Sequence, residues 1–417
     1  MFKSVQDGIR WIESVKRFGE KYDLSRMELA CELLGHPERK LPVIHIAGTN
    51  GKGSTVAYLR HILLEQGYHV GTFTSPYIVR FNERITYDYN DIADAELLEY
   101  INRIHDLSVQ VREDYDQIIT FFELITLISF LFFADRDVDF CIYEVGLGGK
   151  LDATNVVQPL ITAITSISYD HMGVLGDTLQ AIATQKLGIA KPGVPMVTTV
   201  DDSDLLELFH TYTDARDVPL VVVDRAAVTD IDYGVETSFH YQGETYRIAM
   251  LGVHQVYNAA LAIEIIRQLE QRGIVRITNN NLKAGLLATY WPGRMERFGN
   301  IILDGAHNIG GAQALKDSIE LLYHDRYIKV LYTSMADKEY YDIIAVLETF
   351  ADELHFTEID YPRCEDAEAL YDVSNHPRKF LRKDPLLALS DLRQLQSGEL
   401  LVITGSLYFI SAMRKEL

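Results

Sequence analysis

Between two apolar runs the chain reads Gly48-Thr49-Asn50-Gly51-Lys52-Gly53-Ser54. Glycines in a tight turn let successive backbone N–H groups point at one anion, and a lysine at the head of the following helix adds a point charge for the β- and γ-phosphates of a nucleotide. The loop departs from the usual GxxxxGK[ST] spacing, because Gly53 stands where a hydroxyl would ligate magnesium. Partners for such a metal must come from elsewhere. Ser75, Glu144 and His171 each follow or close an apolar, β-rich run. At the carboxyl ends of parallel strands in one sheet, a hydroxyl, a carboxylate and an imidazole would face the same edge as the phosphate loop. A strand-terminal Glu or His taken alone is more often a local hydrogen-bonding group. Membership of one predicted sheet is what favours ligation.

The elements that must position these groups follow from the patterning. Apolar runs at 42–47, 69–74, 139–145, 160–168 and 195–199 alternate with helical stretches at 52–66, 93–107 and 118–133, the pattern of a mostly parallel α/β sheet with helices on both faces. From 220 to 250 short alternating segments predict a small antiparallel addition. Helical patterning at 255–272 and 280–289 stops at Trp291-Pro292-Gly293-Arg294, and strands at 300–304, 328–333, 353–358 and 400–404 begin a second, smaller Rossmann-like series. The expected division is an ATP-binding P-loop domain over 1–296 and a C-terminal α/β domain over 297–417.

Composition narrows the partners. Across 417 residues, 39 Lys+Arg against 60 Asp+Glu give a net charge of −21, which repels nucleic acid. Cys31, Cys141 and Cys364 have no short spacing for a disulfide framework or a CxxC metal site, and suit a reducing cytoplasm. The most apolar run, 118–134, contains Glu123 and lies between Asp116 and Asp135, so it reads as a buried helix and not a membrane span. Val5, Ile9, Ile12 and Val15 mark an amphipathic first helix, unlike a signal peptide.

GTNGKGS (48–54), TSPY (74–77), FNERI (81–85), EVGLGGKLDATN (144–155), Asp170-His171 with Leu175-Gly176, HQVYNA (254–259), WPGRME (291–296), DGAHN (304–308), SMADKEY (334–340) and TGSLYF (404–409) run in order along nearly the whole chain. Together they resemble the folylpolyglutamate synthase and dihydrofolate synthase family, within the Mur ligase group of ATP-dependent amide-forming enzymes. The resemblance implies ATP on the loop 48–54, with Lys52, Lys186 and His171 catalytic, and magnesium on Ser75, Glu144 and His171. It implies a second magnesium at Lys186, carbamylated in the family, and nucleotide contacts at Asn258, Arg294 and Asp304 with His307 close by. It also implies folate or pterin contacts at Thr120, Phe121, Phe122, Glu123, Leu151, Asp152 and Ala153, where an aromatic pair can stack a pterin and a carboxylate can accept from its N–H groups. Core packing is the competing reading for Phe121 and Phe122, and a helix-surface position the competing one for Lys186. Tyr77, Lys150, Gln185 and Ile309 stand where the family usually carries His, Arg, Glu and Pro.

The implied reaction is glutamate addition to the γ-carboxyl of a reduced folate through an acyl phosphate, with dihydropteroate as a further acceptor. Substrates would be ATP, L-glutamate and the folate or dihydropteroate, the expected state a monomer. Two other readings stay open: another Mur-type amino-acid ligase, and a non-catalytic nucleotide-binding switch.

Overall fold

The computed structural model describes residues 1–16 and 23–417. By contact density they form two units: Met1–Ile167 with Gln180–Arg225 and Ala259–Leu286, and Ser168–Leu179 with Ala226–Asn258 and Leu287–Leu417.

The first unit is built on an eight-stranded sheet. Its spatial order is Asn90–Asp91, Ile85–Tyr87, Val70–Phe73, Phe140–Glu144, Val43–Ala47, Pro159–Ile164, Met196–Thr198 and Leu220–Val222. The last six run parallel, and the first two add an antiparallel edge. Val43–Ala47 and Phe140–Glu144 are buried along their whole length, as a sheet covered on both faces requires. Leu220–Val222, which the alternating pattern assigned to an antiparallel addition, joins the parallel sheet as its last strand. Helix Phe121–Ala134 lies in the core against Val5–Ser14 and Asp94–Tyr115. Among the described residues no helix is long and apolar enough to cross a membrane.

In the second unit the strands Glu296–Phe298, Ile301–Asp304, Glu399–Thr404, Tyr327–Tyr332, Glu353–Phe356 and Lys379–Leu381 form one sheet in that order, parallel except for the first pair. Val228–Tyr233, Thr237–Tyr241 and Glu244–Ile248 make a separate antiparallel sheet. A cut between 296 and 297 would pass through the strand Glu296–Phe298. On this side the contact division falls between Leu286 and Leu287, and the chain reverses at Gly299, φ +60°, to pair that strand with Ile301–Asp304.

Candidate active site

Strand Val43–Ala47 delivers the chain into the loop, and helix Lys52–Gln66 starts directly after Gly51. Gly48 has φ +144°, and a Cβ there would stand 1.8 Å from Thr165 Oγ1. Only glycine fits that approach. The loop is pinned to the end of the neighbouring strand: Thr49 N donates to Ser166 O at 2.7 Å, Asn50 N to Ser166 Oγ at 3.0 Å, and Thr165 Oγ1 to Asn50 O at 2.5 Å. Lys52 Nζ turns back on the loop and donates to the carbonyls of Gly48 and Thr49, each at 3.1 Å. Buried Lys186, in helix Leu179–Leu187, donates Nζ to the same Gly48 oxygen at 2.9 Å. Two ammonium groups therefore converge on one carbonyl, a concentration of positive charge that suits a polyanion. Lys186 is not on the helix surface.

Glu144 pairs in register with Ile46, two residues before Gly48, so its carboxylate emerges beside the loop. It is buried and its Oε2 accepts the backbone N–H of Ser75 at 3.1 Å. Magnesium keeps several waters and takes one or two carboxylates together with substrate phosphates. Ser75 and Glu144 fit as the protein's share of such a site. No cluster of three or more His, Cys, Asp or Glu side chains stands ready to hold a metal among the described residues.

At the start of helix Phe121–Ala134, Glu123 Oε2 accepts Thr120 N at 2.7 Å, and its carboxylate is paired with Arg26, whose Nη2 lies 2.9 Å from Oε1. Both partners are buried. Glu123 thus caps the helix that presents Phe121 and Phe122. The half-buried Phe122 ring lies over Gly146, where a Cβ would meet it at 2.4 Å. Phe121 is one of three rings around the Arg84 guanidinium, at 5.6 Å, with Tyr77 at 5.0 Å and Phe81 at 5.5 Å. Asp152 is buried, accepts Leu147 N at 2.8 Å and Thr154 N at 3.0 Å, and is pushed up by burial against those bonds. Leu151 beside it is exposed and Ala153 is buried.

The remaining candidates belong to the second unit. Asn258 Nδ2 donates to Gln255 Oε1 at 3.1 Å on helix Val253–Gln271. His254 is half-buried, and desolvation with Arg294 nearby lowers it to about 4. Asp304 receives Met295 N and Ala306 N, each at 2.9 Å, which ties the WPGRME segment to DGAHN. Burial raises Asp304, with Arg294 opposing. His307 Nδ1 donates to Gly305 O at 2.8 Å, and burial, then Lys338, lowers the ring to about 4. His171, with φ +50°, has Nε2 3.5 Å from Lys338 Nζ. Its neighbour Asp170 accepts Lys338 Nζ at 2.7 Å and Asn308 Nδ2 at 3.0 Å. Burial works against that carboxylate, but His307, Lys338 and His171 hold it well below the usual range. Ser75, Glu144 and Lys186 thus sit in one unit and His171 in the other. The Asp170–Lys338 pair joins two motifs, one before the sheet of the second unit and one within it, and sequence spacing carries no sign of that pairing.

The chain also matches known proteins along its length. Residues 46–266 match the Mur ligase middle domain and 293–407 the glutamate ligase domain of Mur ligases. The chain is 40% identical to a dihydrofolate synthase/folylpolyglutamate synthase of Bacillus subtilis over all of both chains. It is 32% identical to a folylpolyglutamate synthase of Lacticaseibacillus casei over 98% of this chain and 97% of that one. The structure of a Mycobacterium tuberculosis folylpolyglutamate synthase complexed with ADP superposes with a TM-score of 0.90 at 27% identity, covering 99% of this chain and 98% of the other. Two Mur ligase regions in order and relatives matched from end to end place the chain in the folylpolyglutamate synthase and dihydrofolate synthase family of Mur ligases.

Proposed function

We propose that this protein joins L-glutamate to the γ-carboxyl of a reduced folate at the expense of ATP. The observation that carries the reading is the Gly48 loop with Lys52 and Lys186 on one carbonyl, in a chain whose full-length relative bears both synthase names. The folate carboxylate attacks the γ-phosphorus of ATP, releasing ADP and leaving an acyl phosphate; the glutamate amine then displaces phosphate. Carboxylate and triphosphate repel, so the protein's work is to hold them together and keep water out. The loop amides and Lys52 cradle the phosphates, and Arg294, Asp304 and Asn258 are the further nucleotide contacts that the family resemblance implies. Ser75, Glu144 and His171 would hold magnesium, with carbamylated Lys186 at a second ion. Bound there, magnesium would neutralise charge developing on the transferred phosphoryl group. Phe122 and Asp152, flanked by Thr120, Phe121, Leu151 and Ala153, receive the pterin end.

Dihydropteroate is a second acceptor in this reading, favoured by the two activities in the Bacillus relative's name. A monomeric, cytoplasmic enzyme completes the proposal. Purified protein with ATP, magnesium and labelled glutamate is expected to incorporate label into tetrahydrofolate and dihydropteroate. Label into neither acceptor would overturn the assignment. ATP binding without acceptor-dependent ADP release would favour a nucleotide-binding switch, and turnover only with a nucleotide-linked peptide would favour another Mur-type ligase.

A further inference from the structure

One buried titratable side chain outside the groups discussed so far stands beneath the nucleotide loop. His45 lies in the middle of strand Val43–Ala47, with no exposed surface. Its Nε2 is 2.8 Å from Thr154 Oγ1, and Thr154 Oγ1 donates to Asp152 Oδ1 at 2.5 Å. A threonine hydroxyl has one proton, and here the carboxylate takes it, so the same oxygen must accept from His45. The imidazole is therefore the neutral Nε2–H tautomer. Its buried Nδ1 has no hydrogen-bond partner among the described residues. Burial, with Lys191 adding, lowers His45 to about 3, which keeps the ring neutral.

The chain of bonds runs from the nucleotide strand to the acceptor loop. Thr154 supplies both its N–H and its hydroxyl to Asp152 Oδ1, and Leu147 N takes one acceptor position of Oδ2, so a ligand donor must be met by the remaining lone pair of Oδ2. On its other side the same loop is held by Lys150 N donating to Gln185 O at 2.7 Å and by Asn155 Nδ2 donating to Gly188 O at 3.0 Å. Lys186, in that second segment, returns to Gly48. We propose that His45 and Thr154 are positioning residues that set the Asp152 carboxylate for the pterin end of the acceptor. The proposal rests on the reading of Asp152 as an acceptor contact.

Steady-state kinetics of the full-length enzyme with tetrahydrofolate, ATP, magnesium and glutamate test it. Thr154→Val is expected to raise the acceptor KM about tenfold while moving the ATP KM less than about twofold. Thr154→Ser, which keeps the hydroxyl, and His45→Gln, which keeps an N–H at the reach of Nε2, are expected to stay within about threefold of the parent. Equal rises in both KM values, or a loss confined to kcat, would mean general packing and overturn the proposal. Asp152→Asn separates the two layers. If it leaves the acceptor KM unchanged, the acceptor reading of Asp152 fails; if it raises that KM while Thr154→Val is silent, the positioning role alone fails. Nitrogen-15 imidazole shifts of the unaltered protein give a check that needs no variant to fold: His45 is expected as the Nε2–H tautomer, and an Nδ1–H tautomer would contradict the chain.

Discussion

The Gly48 carbonyl receives two ammonium groups, and the strongest residue-scale predictions concern the groups around it. Lys52→Met is expected to lower kcat about 100-fold or more, since one oriented charge on the transferred phosphoryl group is lost. Glu144→Ala is expected to abolish turnover while far-ultraviolet circular dichroism stays unchanged; near-normal rates would remove Glu144 from the metal site. Arg294→Ala is expected to raise the ATP KM, and unchanged ATP kinetics would exclude its nucleotide role. The loop and Lys52 were legible in the sequence because a glycine-rich turn between a strand and a helix has few other uses. Lys186 was readable only through resemblance, since nothing in its helix pattern tells a buried lysine from a surface one. His45 carried a weak signal, a polar residue inside the apolar run Val43–Ala47, but its partner Thr154 is over a hundred residues away and no spacing rule joins them.

Element-scale consequences centre on how helices and loops are fixed. Gly48→Ala would set a Cβ against Thr165 at a φ that L residues avoid, and is expected to cost about 2 kcal/mol or more in chemical denaturation. At the head of helix Phe121–Ala134, Arg26→Met would leave the Glu123 carboxylate buried beside an apolar side chain, an expected loss of about 3 kcal/mol. Adding Glu123→Gln should recover much of it, because the unpaired charge is then gone. Strand positions were legible to within a few residues, since fully buried parallel strands read as apolar runs. The helix Ser25–Leu33 was not, its periodicity being too weak to mark a face. Leu220–Val222 was misplaced because three half-buried residues carry no sign of whether the partner strand is parallel.

For the whole molecule, buried neutral histidines set the acid response. His45 is lowered to about 3 and His355 to about 4, each mainly by burial. Unfolded histidine titrates near 6.5, so as pH falls through that value the unfolded chain takes up protons that the folded chain refuses. Stability is present in full above about pH 6.5 and is expected to decline toward pH 4, by up to about 1.4 kcal/mol per pH unit for each such histidine. Urea midpoints between pH 7.5 and 5 that do not fall would contradict this. The charge of −21 follows from composition alone, but its meaning comes from the proposed reaction: anionic substrates would be met by Lys52, Arg294, the loop amides and bound magnesium against the overall field.

The central claim is that an acyl phosphate links ATP cleavage to amide formation, and oxygen-18 in the γ-carboxylate of the folate acceptor tests it directly. The account predicts one labelled oxygen in inorganic phosphate and one retained in the new amide, with ADP as the nucleotide product. Phosphate free of label, or label in AMP, would contradict it.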